Sequence, residues 1–180
     1  AYIPQSDTYI EKETKINEEI DRLRHASTQS ILSRRDTIIV ASVSCIYGLG
    51  SPDEYSRVRI QLAVGQKIPR QKLLRQLSDL QYPRADLDFR RGTFRVSGEI
   101  VEIYPAFALD RFYRIRFNGD TIENIEEREA LTLDKVTSHH SIDVYPATHY
   151  LATTTRLQQA LKEIRRDAEK TVEQFKKAGK

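Results

Sequence analysis

Apolar residues recur along this chain in distinct rhythms. Between Asn17 and Arg35 the spacing is helical: Ile16, Ile20, Leu23, Ser27 and Ile31 fall near one stripe, which predicts a helix packed through that face. Asn17 is its expected N-cap, Glu18 and Glu19 suit the positive first turn, and Arg34-Arg35 suit the C-terminal end. Thr37-Ile38-Ile39-Val40 is a continuous β-branched run, the signature of a core strand covered on both faces in a parallel α/β sheet. Gly48-Leu49-Gly50 then predicts a sharp turn, following Ser42 and Ser44. Ser51-Pro52-Asp53-Glu54 opens a short helix, with serine as cap, proline in the first turn and glutamate closing a capping box.

From Val58 onward the rhythm shortens. Val58, Ile60, Leu62 and Val64 alternate with polar or small residues, which is strand periodicity, and Gly65 ends the run. Pro69 opens a helix with Leu73, Leu74, Leu77 and Leu80 on its apolar face and Arg70, Lys72 and Arg75 in solvent. Tyr82-Pro83-Arg84 breaks it. Gly92–Val96 and Glu99–Tyr104, separated by Ser97-Gly98, predict a hairpin. Phe112–Phe117 and Thr121–Ile125 predict another around Asn118-Gly119-Asp120, with Tyr113, Ile115 and Phe117 on one face. Residues 131–144 add one or two strands. Leu157, Leu161, Ile164, Ala168, Val172 and Phe175 predict a closing helix over 154–177. At the other end, Ala1–Glu13 reads as an extended arm in which Tyr2, Ile3, Tyr9 and Ile10 flank the turn-prone Pro4-Gln5-Ser6-Asp7. The fold class is therefore α+β: residues 51–151 form an antiparallel sheet with helices, flanked by 1–50 and 152–180. A single covered strand at 37–40 with no βαβ partner points to a chain cut from a larger one.

Composition narrows the chemistry more than the fold. The charged fraction is 31% and the formal net charge only +3, so the chain is globular rather than disordered and nucleic acid is permitted but not demanded. Cys45 is the one cysteine; it excludes an internal disulfide framework and suits a reducing cytoplasm. No run reaches transmembrane length and no signal peptide is evident, so no membrane partner is expected. Methionine is absent even from position 1, and the natural start is expected to lie elsewhere. There is no Gly-rich loop ending in Lys-Ser or Lys-Thr and no acidic pair after an apolar strand. Gly48-Leu49-Gly50 lacks the lysine of a nucleotide cradle, and His139-His140 would point to opposite faces of a strand rather than to one metal. No catalytic residue, bound cofactor or metal site is assigned. Arg84, Arg90, Arg91, Arg95, Arg111, Arg114 and Arg116 cluster in the sheet region, interleaved with Phe89, Phe94, Phe112 and Phe117. They fit a solvated face, an acidic protein partner or a nucleic-acid backbone, and the nearby Asp86, Asp88, Glu99 and Glu102 favour protein over nucleic acid.

Ala1-Tyr2-Ile3-Pro4, Ser6-Asp7-Thr8-Tyr9-Ile10-Glu11-Lys12, Ala41-Ser42-Val43-Ser44-Cys45-Ile46-Tyr47-Gly48-Leu49-Gly50 and Phe89-Arg90-Arg91-Gly92-Thr93-Phe94-Arg95-Val96 together resemble the UvrB family of excinuclease components in bacterial nucleotide excision repair. The likeness runs the whole length. It implies a helicase-like α/β motor, of which 1–50 supply part together with part of a DNA-clamping hairpin. It implies that 51–151 are the inserted domain that binds UvrA, and that 152–180 return to the motor. By this resemblance Tyr2 and Tyr9 match aromatic residues of the hairpin tip and Lys12 a lysine that locks it, all three DNA-binding. Arg84 and Arg95 match arginines of the UvrA contact. The family pattern often carries another arginine where this chain has Ser97, which leaves the number of charged contacts open. ATP, magnesium and UvrC are implied for the parent only, as is its DNA-dependent ATPase activity. Two alternatives remain: an ATP-dependent helicase-like enzyme active in its own right, and the UvrA-docking module of transcription-repair coupling factor. The tyrosine-bearing arm argues against the second.

Overall fold

A computed structural model describes residues 2–3, 8–9, 17–47, 52–149 and 154–177. The arm contributes two short strands, β1 (Tyr2–Ile3) and β2 (Thr8–Tyr9). They pair antiparallel across the turn-prone stretch, with Tyr2 opposite Tyr9 and Ile3 opposite Thr8. Lys12 lies outside the described residues. Helix α1 (Glu18–Ser33) starts where its cap predicts. The Asn17 side-chain oxygen accepts from the backbone N–H groups of Glu19 and Ile20 at 3.1 and 3.2 Å, satisfying donors that the first turn cannot.

Two expectations fail here. The stripe on α1 does not pack: Ile20, Leu23 and Ile31 are 55, 47 and 53% exposed, and the buried residue is His25. Nor is 37–40 a strand; it is irregular, with Ile38 91% and Val40 95% exposed. A strand is held by ladder hydrogen bonds, and among the described residues none runs beside this segment. The chain instead closes a 3-10 turn, Val43–Ile46. The Ser51 cap falls outside the described residues, although helix α2 (Pro52–Arg57) follows it.

The sheet region fills in as a sandwich of short pieces. Strand β3 (Ile60–Ala63) alternates in burial, Gly65 turns the chain with φ +84°, and helix α3 (Arg70–Asp79) buries Leu73 and Leu77. Five strands follow in meander order, each antiparallel to the next: β4 (Thr93–Ser97), β5 (Ile100–Tyr104), β6 (Arg111–Asn118), β7 (Thr121–Glu129) and β8 (Lys135–Ser138). The last strand, β9 (Ser141–Val144), leaves that sheet and pairs with β3, Leu62 opposite Ile142. Residues 65–68 then hydrogen-bond to Ile122 and Asp120 at 2.8–3.0 Å, tying the small sheet to the head of β7.

One apolar layer lies between α3, the β3–β9 pair and the inner face of the large sheet. Leu62, Leu73, Leu77, Phe94, Val101, Ile103, Ile115, Phe117, Ile122, Ile125 and Val144 form it, with Tyr113 packed against its edge. The outer face has only a small apolar island, Tyr104, Ala108 and Phe112, flanked by Phe89, Phe107 and Ala130. The pleat sends alternate residues to the two faces. Residues 1–149 form one compact unit and 150–180 another. The second contains α4 (Thr154–Lys177), along which Leu161, Ile164, Val172 and Phe175 are all at least half exposed. Among the described residues no helix is long and apolar enough to cross a membrane.

Candidate functional site

The register of the large sheet places charged residues in line across its outer face. Arg95 on β4 stands opposite Glu102 on β5, which stands opposite Arg114 on β6, then Glu126 on β7 and Ser138 on β8. Arg116, Arg128 and Lys135 share this face, so cations outnumber carboxylates. Arg128 donates to Glu126 through Nε at 2.9 Å and Nη2 at 2.6 Å, and Asn124 adds a bond at 3.1 Å. Burial alone would raise the Glu126 carboxyl, but Arg128, Lys135 and Asn124 outweigh it and hold the group below the usual carboxylate range.

Glu102 is the anchor of the row. It is 5% exposed, one of the few buried polar residues, and both its oxygens are engaged. Arg95 Nε donates to Oε2, and Arg114 Nε donates to Oε1 at 2.6 Å. Arg95 also lies over the Phe89 ring, 4.3 Å from its centroid, a cation–π contact that fixes the guanidinium plane. Arg84 stands elsewhere, on the segment that bridges to Phe94 along the outer edge of β4. It pairs with Asp86 at 2.9 Å, both about half exposed, and that hydrogen bond holds the Asp86 carboxyl below its ordinary value.

Arg84 and Arg95 therefore both have a partner within the chain, but in different settings. Arg84 is an exposed pair that water and salt loosen. Arg95 is held by a buried acid and a ring. In the sequence Arg114 is only one of a cluster, and Glu102 only a nearby acid. The signal that joins them is the turn: a loop at Ser97-Gly98 would set Arg95 opposite Ile100, whereas the chain turns at Gly98-Glu99, with Gly98 at φ +57° and Ser97 opposite Ile100. The register then delivers Arg95 to Glu102.

A second polar cluster has no counterpart among the sequence expectations. On α1, His25 stacks on His149, ring centroids 3.8 Å apart at 27°. Asp21 lies 3.9 Å from His25 Nε2 and accepts from Arg91 at 3.0 Å. Arg24 donates to the Cys45 and Tyr47 carbonyls at 3.2 and 2.8 Å, so Cys45 serves as a backbone acceptor here. Burial, reinforced by His149, lowers the His25 imidazole to about 4 despite Asp21; burial lowers His149 too. Asp21, His25 and His149 offer ligand atoms within 4.8 Å of one another. They do not fit a metal, because ring nitrogens donate in the ring plane, nearly parallel planes do not converge on one ion, and Arg91 already holds the carboxylate. His139 is engaged separately with Glu127 at 3.0 Å.

The surface of the described residues has shallow hollows, two of which are well defined. One is lined by Gln61, Gln66, Ser141 and Asp143 with apolar neighbours, the other by Arg70, Gln71, Glu99, Phe117 and Asp120 with neighbouring loop residues. The tyrosines of the arm are related by backbone register alone, Tyr2 opposite Tyr9.

Comparison with known proteins gives a consistent result. The family described as UvrB interaction domain matches residues 60–150. Over all 180 residues the chain is 49% identical to UvrABC system protein B of Geobacillus kaustophilus, covering 27% of that protein. It is 49% identical to the namesake from Lactobacillus acidophilus, covering 26% of it. With that of Caldicellulosiruptor bescii the identity is 47%, again over 27% of the relative. The chain thus spans about a quarter of the length of these curated relatives.

Proposed function

The chain belongs to the UvrB interaction domain family, and from that premise we propose that its sheet-bearing unit docks UvrA in bacterial nucleotide excision repair. The observation that carries this is the outer sheet face, where Arg95 and Arg114 are held on a buried carboxylate among further cations while the inner face is closed by the core. Guanidinium groups in such a setting suit carboxylates on a protein partner, and mixed charge on the same face favours a patterned protein surface over a uniform polyanion. The arm, with Tyr2, Tyr9 and Lys12, is assigned to clamping one strand of damaged DNA, by stacking that is indifferent to base identity. ATP, magnesium, UvrC and ATPase turnover are assigned to the parent protein, and its location to the cytoplasm. The reading as an independently active ATP-dependent enzyme and the coupling-factor reading are not favoured beside relatives that match the chain from end to end.

The test is capture of UvrA by the immobilised chain. Arg84→Glu is a surface exchange at an exposed pair. At position 95 a glutamate would face Glu102, so Arg95→Ala is the cleaner change. The double variant is expected to lose capture by at least about tenfold while circular dichroism is unchanged, since removing one partner of a well-formed interface pair costs ~2–5 kcal/mol. Undiminished capture by a folded double variant would sink the reading.

A further inference from the structure

The docking face contains a residue that no partner need touch. Glu102 has 7% of its side chain exposed, whereas Arg95 and Arg114 keep 28% and 20%. The carboxylate comes from the middle strand of three and meets one arginine from each side. Both arginines reach it through Nε. Nε is the inner nitrogen of the guanidinium, so each group keeps a terminal Nη nitrogen turned away from Glu102. Arg95 is further restrained by the adjoining rings of Phe89 and Phe112, with its central carbon 4.3 and 6.0 Å from their centroids. Two long side chains that would sample many rotamers on an open sheet are thus gathered onto one buried acid.

We propose that Glu102 is a positioning residue for docking: it aligns Arg95 and Arg114 as one two-pronged receptor for a pair of carboxylates on the partner surface. This rests on the docking reading above and specifies its chemistry. The two prongs arise from strands two apart, so their backbones stand ~9–10 Å apart. The side chains converge on Glu102, and the acidic pair they fit is therefore closely spaced. Arginines already immobilised lose little further freedom on binding, and a buried anion between them offsets their mutual repulsion.

The proposal makes a prediction of sign. Glu102→Gln makes the face more positive by one charge. If the arginines acted only as a diffuse positive field, an acidic partner would bind that variant more tightly and associate faster. If Glu102 positions them, binding weakens through faster dissociation although the field has grown. The measurement is the kinetics of UvrA binding to the 180-residue chain, for wild type, Glu102→Gln, Arg95→Ala and the combined variant, each with a thermal melt. The expected result is a loss of about tenfold for Glu102→Gln in the wild-type background, shrinking to under about threefold once Arg95 is alanine, because residues acting as a unit are non-additive. A residue with a merely structural role would give the same loss in both backgrounds, and that result overturns the proposal, as does equal or tighter binding by Glu102→Gln. Should Glu102→Gln lose its cooperative melt, Glu102→Asp replaces it: charge is kept and reach shortened, and the same shrinking loss is expected. If Arg95→Ala itself leaves binding intact, the two-pronged receptor is overturned, and the docking reading fails with it if the Arg84→Glu, Arg95→Ala double variant also binds undiminished; if Arg95→Ala weakens binding and neither Glu102 exchange does, only the positioning role fails.

Discussion

His25 shows how a single residue can reverse the face a helix presents. The spacing of Ile20, Leu23 and Ile31 names an apolar stripe, yet the buried side chain is an imidazole stacked on His149. Two neutral rings in contact form an apolar surface, and Asp21 and Arg91 close its edge. Its cost appears at low pH. In the folded chain the His25 imidazole titrates near 4, below its ordinary 6.5, so the unfolded chain takes up the proton first as pH falls. The stabilisation is complete above about 6.5 and is lost as pH drops through 6.5 toward 4. Thermal midpoints are expected to decline across that window. His25→Phe, which keeps a ring against His149 but no proton site, should flatten the decline; His149, also lowered by burial, and the facing Asp21, Arg24 and Arg91 remain to shape the rest. An unchanged slope in the His25→Phe variant would place the pH dependence elsewhere. Nothing in the residue pattern announced this pair, because positions 25 and 149 meet only through the fold.

At the scale of elements, local chemistry was legible where it was self-contained. The Asn17 cap, the Gly65 turn, the closing helix over 154–177 and both hairpins follow from residues within a few positions of one another. The cap is open to direct test: Asn17→Ala removes the acceptor of the Glu19 and Ile20 N–H groups and is expected to destabilise the chain by ~1 kcal/mol in urea titrations, while Asn17→Asp leaves stability nearly unchanged. What could not be read locally was pairing. The run at 37–40 has strand composition but no ladder partner among the described residues, and composition cannot supply one. The hairpin itself is legible, but its turn falls at Gly98-Glu99 rather than at the expected Ser97-Gly98, and that register decides whether Arg95 meets Ile100 or Glu102.

For the whole molecule, the main core is drawn from residues 60 to 144 and closes on itself. A chain of residues 52–149 is accordingly expected to unfold in one cooperative urea transition, with different optical probes coinciding, and to retain UvrA capture. Broad, probe-dependent melting would show that the core needs α1. Between β3 and β9 the chain passes through the whole five-stranded sheet before the two strands meet, a pairing that alternation predicts only as strands, never as neighbours. By itself the sequence determined the α+β class, most element positions and the family, because these depend on residue types at short spacing or on runs of identity. Tertiary structure alone decided that Glu102 joins Arg95 to Arg114 and that His25 finds His149. Those contacts depend on register and long-range packing, where a one-residue change at a turn alters which side chains meet while leaving every local pattern intact.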